Sequence, residues 1–349
     1  MGTATILITG AAGEIGHSLM DLLQRMGERV IAIDLMQPSH LPSGVEFRKL
    51  DITDNTAVQH LFRSTDVDRV FHLAGLLSTG GEKNPILAHS VNVQGSFHLL
   101  TAAHEATQRN GAPVRFIFPS TIAAYGIPSP QIKDAAGSVR EDQYLAPITM
   151  YGNNKLYVEN LGRYFSNYFQ LLCAENHPHL DFRCVRLPGV ISAETVPTGG
   201  TSDYGPEMLH AAAQGAHYDC FVTPDARLPF MVMPDAVRAL MDIADAPRES
   251  LTQSVYNVRS FSLTAEEIRQ RVLKLFPGAS IGYALHERRN AIVASWPGDT
   301  DDSAARRDWG WAPSYDVERA FGEYLAPAIR ARYGRSARKT GPDLGCVAL

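Results

Sequence analysis

Short apolar runs alternate with longer amphipathic stretches from residue 4 to about 120, the rhythm of βαβ units that feed a parallel sheet covered on both faces. Runs rich in Ile, Val and Phe predict strands at 4–9, 29–34, 45–50, 69–73 and 114–119. The stretches between them predict helices near 14–26, 54–65 and 85–109. A long helical pattern follows at 149–173. The run at 181–187, which lacks a regular polar alternation, then predicts a sixth strand buried on both faces. Beyond Pro188 the texture turns to Pro- and Gly-rich loops with shorter helices near 204–214, 234–244, 264–274 and 316–330.

The expected fold is therefore α/β: a Rossmann doubly wound parallel sheet with a smaller C-terminal substrate domain. The expected divisions are 1–187 for the dinucleotide-binding domain and 188–331 for the mainly substrate-binding domain, with some segments free to return to the first. Residues 332–349, basic and without apolar period, read as a flexible tail. The 169–179 stretch reads as an insertion or helix extension broken at His177-Pro178. No repeat or low-complexity tract interrupts the chain.

Composition narrows the function. With 32 basic and 37 acidic residues among 349, the formal charge is −5, so no broad positive field exists to hold nucleic acid or an anionic membrane. No run of 18 apolar residues occurs, and the start lacks the pattern of a signal peptide, so a cytoplasmic protein is expected. Four cysteines, Cys173, Cys184, Cys220 and Cys346, match neither a disulfide framework nor a zinc site, and His177-Pro-His179 lacks the acidic or thiol neighbours of a metal centre. No metal is expected.

The run GAAGEIG from Gly10 to Gly16 follows the first strand directly and opens the first helix. In that context Gly10 permits the tight turn, Gly13 lets backbone amides approach a pyrophosphate, and Gly16 lets the helix pack close to the sheet. Glu14 and Ile15 complete the turn. Asp34, at the end of the second strand, suits a ribose 2′-hydroxyl and would repel a 2′-phosphate, so NAD is expected over NADP. Asp51 and Ile52 end the third strand where an adenine would lie. Leu73, Ala74 and Gly75 end the fourth, Asn92 lies in the next helix, and Leu187 ends the sixth strand.

Tyr151 and Lys155 stand four residues apart, hence on one face at the start of the long helix. A cation fixed beside a phenol favours the phenolate and fits it for general-base work. Ser120 and Thr121 close the fifth strand at the carboxyl edge of the sheet, where open α/β sheets bind ligands.

Together these residues resemble the extended short-chain dehydrogenase/reductase family, over about residues 4–325. The resemblance implies that Ser120 or Thr121 orients the substrate oxygen, that Tyr151 moves the proton, and that Lys155 lowers the Tyr151 pKa while binding the nicotinamide ribose. Further segments are similar to the threonine-dehydrogenase branch of that family: LLS at 76–78, PSTIA at 119–123, DFRCVRLPGVIS at 181–192, GGTSDY at 199–204, SWP at 295–297, and DDS at 301–303 with DWGW at 308–311. Where sugar-nucleotide epimerases usually carry an Asn, this chain has Gly189. The branch implies oxidation of the 3-hydroxyl of a small amino acid, L-threonine, with Ser78, Ser120, Thr121, Tyr151, Thr201, Ser202, Asp203 and Trp296 at the substrate. It also implies a homodimer paired through helices containing 90–106 and 151–168.

Ser202 stands where the branch more often has Thr, and the 169–179 stretch is longer than in its members. Thr201–Asp203 reads first as a substrate-binding turn, with a helix cap carrying Asp in the first turn as the alternative. Trp296 reads equally as substrate contact or as packing, and Trp309 and Trp311 as packing. A dehydrogenase of another small 3-hydroxy acid, a sugar-nucleotide epimerase or dehydratase, and a non-catalytic NAD sensor remain the alternatives.

Overall fold

The computed structural model describes residues 4–172, 178–197 and 200–339. Its centre is a seven-stranded sheet in the order Val255–Asn257, Asp181–Leu187, Arg115–Thr121, Arg69–His72, Thr5–Thr9, Arg29–Asp34, Glu46–Lys49. Every pairing in it is parallel. The strand order reverses between Thr5–Thr9 and Arg69–His72, and the crevice at that reversal is where doubly wound sheets bind ligands.

Alternation along the buried strands assigns each side chain to a face. Ile6, Ile8, Val30 and Ala32 pack under the helices Glu14–Arg25 and Met233–Asp245, together with Trp311. Leu7, Ile31 and Ile33 pack under Asn55–Ser64, Ser96–Asn110 and Met150–Asn167. A second lobe has its own core, built on the sheet formed by Gly189–Ile191, Arg227–Val232 and Phe261–Thr264 with the helices Tyr204–Gln214 and Ala265–Leu275 above it.

Several elements depart from the sequence expectation. The helix expected at 85–109 is present without interruption from Pro85 to Asn110, but carries a π-helical turn at Ser90–Gly95. The long helix stops at Asn167; Phe169 beyond it stacks on Phe165 at 4.9 Å. Residues 173–177, including Cys173 and His177, lie outside the described residues. From Arg332, where a tail is expected, the helix Ala326–Lys339 continues; residues 340–349, with Cys346, are outside the description. Of the segments after 188, Met233–Asp245, Val255–Asn257 and Ser303–Trp309 return to the large sheet. Cys184 and Cys220 are buried free thiols. Among the described residues no helix is long and apolar enough to cross a membrane, and no group of side chains is arranged to hold a metal ion.

Candidate active site

The glycine turn sits at the sheet's crevice. Gly10 adopts φ +69°, and a Cβ there would lie 2.5 Å from the Ala74 nitrogen. Gly16 lets the helix approach so closely that a Cβ would lie 2.6 Å from the Gly10 oxygen. Gly13 is the N-cap of the helix Glu14–Arg25 and no side chain caps it. The N–H groups of Glu14, Ile15 and Gly16 therefore have no intrahelical acceptor at the end where an anion is favoured. A Cβ on Gly13 would meet only the Gly10 oxygen, at 3.2 Å, so the space above this turn is open. Asp34 ties the second strand to the turn: Oδ2 accepts from the Ala12 N–H at 3.0 Å and Oδ1 from Met36 at 3.1 Å. An uncapped helix start, open space over Gly13 and a carboxylate at the strand end fit a dinucleotide without a 2′-phosphate.

The opposite wall of the crevice, residues 73–78, is held from below by a buried relay that the sequence did not announce. The Ala74 N–H donates to Thr9 Oγ1 at 3.1 Å, and Thr9 Oγ1 lies 2.7 Å from His72 Nδ1. His72 Nε2 lies 2.8 Å from Ser96 Oγ, whose own proton goes to the Asn92 carbonyl. Ser96 must then accept from Nε2–H, which leaves Nδ1 bare to accept from Thr9. Burial, reinforced by Lys155, pushes His72 down to about 3, so it is neutral in this relay. Asn92 completes the support: Oδ1 accepts from the Leu76 N–H at 2.7 Å and Nδ2 donates to the Leu76 carbonyl at 3.0 Å.

Thr149 caps the long helix by accepting from the Gly152 N–H at 3.1 Å, which fixes where Tyr151 and Lys155 emerge. Gly152 allows this end of the helix to press on the Ala123 carbonyl. Burial pushes the Tyr151 phenol up to about 12, and the Thr121 hydroxyl beside it acts the other way. Lys155 does not counter that shift, contrary to the expectation from spacing. Its Nζ donates to the Pro119 carbonyl at 2.8 Å, and burial pushes it down to about 8.

The strand end separates the two candidate hydroxyls. Ser120 donates to Glu159, a buried carboxylate that Arg186 grips through Nε at 3.0 Å and Nη2 at 2.7 Å. Thr121 faces Tyr151. Glu159 and Arg186 went unnoticed in the sequence; the signal for Glu159 was its place four residues after Lys155, on the face that Tyr151 and Lys155 share.

From the second lobe, Thr201 Oγ1 donates to Ser78 Oγ at 2.9 Å and joins the two walls. Asp203 Oδ2 accepts from the Gly200 N–H at 2.6 Å, and Arg289 holds the Gly200 carbonyl at 3.1 Å. Asp203 is at once the N-cap residue of Tyr204–Gln214 and a wall of the crevice. Trp296 is buried in the second lobe's core with one side on the cleft.

One cleft of about 370 Å³ brings these pieces together. It is lined by Gly10, Gly13, Glu14, Ile15 and Gly16 from the turn and by Leu73, Gly75 and Ser78 from the facing wall. Ser120, Thr121, Tyr151, Lys155 and Leu187 form its floor, and Thr201, Ser202, Asp203 and Trp296 close it. Five expected residues do not line it. Asp34 accepts from the Ala12 and Met36 N–H groups, the Ala74 N–H is held by Thr9, and Asn92 is spent on the Leu76 backbone. Asp51 accepts from Thr53 N–H and hydroxyl, both at 2.8 Å, and Ile52 packs where a Cβ on Gly95 would lie.

A Rossmann crevice with an uncapped glycine turn and a Thr-Tyr-Lys floor is that of a dinucleotide-dependent enzyme. The chain belongs to the NAD dependent epimerase/dehydratase family, whose model matches residues 6–258, and it is an NAD-dependent enzyme. It is 37% identical to the mitochondrial L-threonine 3-dehydrogenase of Bos taurus over 89% of this chain and 79% of that one. The holo form of an L-threonine dehydrogenase from Cupriavidus necator superposes with a TM-score of 0.80 at 35% identity, covering 93% of this chain and 99% of that one. A monomeric L-threonine 3-dehydrogenase from a metagenome, in its apo form, gives 0.81 at 34% identity with the same coverage.

Proposed function

We propose that the protein oxidises the 3-hydroxyl of L-threonine to 2-amino-3-oxobutanoate with NAD. The observation that carries this reading is the pairing of Tyr151 with Thr121 on the floor of a cleft that Ser78 and Thr201 close from either side. Bound NAD supplies the acceptor for the hydride leaving the hydroxyl-bearing carbon, and brings a positive charge to the site. The Glu14, Ile15 and Gly16 amides hold its diphosphate, Asp34 its adenosine ribose, and Lys155 its nicotinamide ribose. Thr121 orients the substrate hydroxyl and Tyr151, as phenolate, takes its proton. Ser78, Thr201, Ser202 and Asp203 hold the ammonium and carboxylate, and Trp296 packs against the methyl end. Ser120, its proton given to Glu159, offers only lone pairs to the cleft.

The threonine relatives support this substrate over a sugar nucleotide, and so does Gly189. A Cβ there would lie 2.6 Å from the Phe230 ring, so no side chain fits at the position where the epimerases usually place an Asn. The deciding experiment is NADH formation by purified protein with L-threonine, L-allo-threonine, L-serine and 3-hydroxybutyrate. Turnover favouring L-threonine is expected; turnover with the amine-free acid alone would overturn the substrate and leave a hydroxy-acid dehydrogenase.

The working unit in this reading is a cytoplasmic homodimer. Ile86, Leu87, Phe97, Tyr157, Tyr164 and Tyr168 are exposed on the helices between 85 and 110 and at the long helix, an apolar surface that a second copy would cover. Because a similar protein is described as monomeric, sedimentation at micromolar concentration decides the point. A single species of 38.2 kDa would overturn the dimer.

A further inference from the structure

Glu14 opens the helix Glu14–Arg25 and lines the cleft opposite Asp203. A carboxylate in the first turn of a helix is ordinarily favoured as the anion. Here the surroundings oppose the dipole: burial and then the Asp203 charge push Glu14 up to about 7, with Thr195 acting the other way. Among the described residues, the elements packed around it bring no compensating cation. The 200–203 turn brings Asp203, and the loop after Ile191 brings Thr195. Glu194 of that loop lines a separate cleft with Asp21 and Arg25, further along the helix. Lys155 lies on the cleft floor, its ammonium on the Pro119 carbonyl. Arg289 reaches the turn but is engaged with the Gly200 carbonyl.

A diphosphate seated on the Glu14, Ile15 and Gly16 amides adds negative charge beside this carboxyl, and like charge favours the protonated acid. We propose that Glu14 takes up a proton when NAD binds and meets the diphosphate as a neutral hydrogen-bond donor, so that cofactor affinity falls as the pH rises past neutrality. The inference rests on the NAD reading of the cleft. The direction follows from linkage. Well below neutrality the free protein already carries the proton and affinity is level. Above it the proton must be drawn from solvent, and affinity falls by at most about tenfold per pH unit for one linked proton.

Lys155, pushed down to about 8, loses its charge in an adjoining window and would also weaken binding as the pH rises. A variant must therefore separate the two groups. Glu14→Gln keeps the shape and the donor and removes the titration. The NAD dissociation constant of the full-length wild type and of Glu14→Gln is measured by calorimetry from pH 6 to pH 8, in two buffers of different ionisation enthalpy. Adenosine, which lacks the diphosphate, is titrated in parallel, and thermal melting checks that both proteins are folded. The wild type is expected to weaken by about tenfold across this range and to take up close to one proton at pH 8. Glu14→Gln is expected to change by less than about threefold and to take up correspondingly fewer protons, while adenosine binding stays level in both proteins. A flat wild-type profile overturns the inference while leaving the cofactor reading intact, as does an equal fall in both proteins. If neither protein binds NAD at any pH, the cofactor reading fails and this inference fails with it.

Discussion

Ser120 gives its hydroxyl proton to Glu159, while the hydroxyl of its neighbour Thr121 lies beside the Tyr151 phenol. Adjacent residues of a strand point to opposite sides, so the two hydroxyls have different duties. Thr121→Ala should lower kcat by roughly 10- to 100-fold, the worth of one hydrogen bond to a charged group. Ser120→Ala should lower kcat by less than about tenfold, since Glu159 keeps its two bonds to Arg186. Steady-state rates with L-threonine decide it, and the reverse ranking would hand the orienting role to Ser120.

Tyr151 must ionise to accept a proton, and burial holds it neutral, its pKa pushed up to about 12. Its protonated form therefore dominates at neutral pH, and kcat/KM should climb with pH, by up to about tenfold per unit while the phenol limits the rate. Tyr151→Phe should lose roughly 10²- to 10⁴-fold in kcat and bind NAD as before. A variant that kept a tenth of the turnover would show that the proton leaves by another route.

How much of this was readable in advance depends on where each interaction closes. The strand at 29–34 brackets its apolar run with Arg29 and Asp34, because burial on both faces makes run and strand nearly the same length, whereas 181–187 is buried throughout although Asp181, Arg183 and Arg186 interrupt its apolar residues. Val255–Asn257 escaped notice since three residues carry no period; it is a strand only through its parallel pairing with Cys184, Val185 and Arg186. Tyr151 and Lys155 were legible because helical spacing is local. Asn92 was less legible for the opposite reason: its amide is taken by the Leu76 backbone, a contact made in three dimensions. Arg186 was hidden inside a fully buried strand, where its charge is balanced by Glu159 from another element.

His72 links the relay to acid stability. Its folded pKa, about 3, lies below its ordinary value near 6.5, so the unfolded chain binds a proton that the folded one refuses. Stability from this source falls as the pH drops through 6.5 and goes on falling to about 3. Glu14 works in the opposite direction. Its pKa is raised to about 7, so its contribution is full below its ordinary value of 4.5 and is lost as the pH climbs to about 7. The two slopes oppose each other between pH 5 and 7, and Glu14→Gln should expose the first. That variant should lose roughly 2 kcal/mol on going from pH 7 to pH 5 relative to the double variant Glu14→Gln/His72→Asn. Urea unfolding at the two pH values measures it. Equal losses in both variants would mean that His72 accepts its proton in the folded state.

Gly13 and Gly16 share one turn but should fail in different ways. A Cβ on Gly16 would sit 2.6 Å from the Gly10 oxygen and 2.8 Å from the Ala11 oxygen, both backbone atoms of the turn itself. Gly16→Ala must move the helix from the sheet, at a cost of roughly 1–3 kcal/mol typical of an overpacked contact, and NAD affinity should fall with stability. A Cβ on Gly13 meets only the Gly10 oxygen at 3.2 Å and otherwise projects into open space. Gly13→Ala should therefore melt within a few degrees of the wild type yet bind NAD at least about tenfold more weakly, because the methyl group occupies room the diphosphate needs to reach the helix amides. Thermal melting and NAD titration of both variants separate packing from binding. If Gly13→Ala bound NAD like the wild type, the diphosphate would have to rest elsewhere than on this helix start.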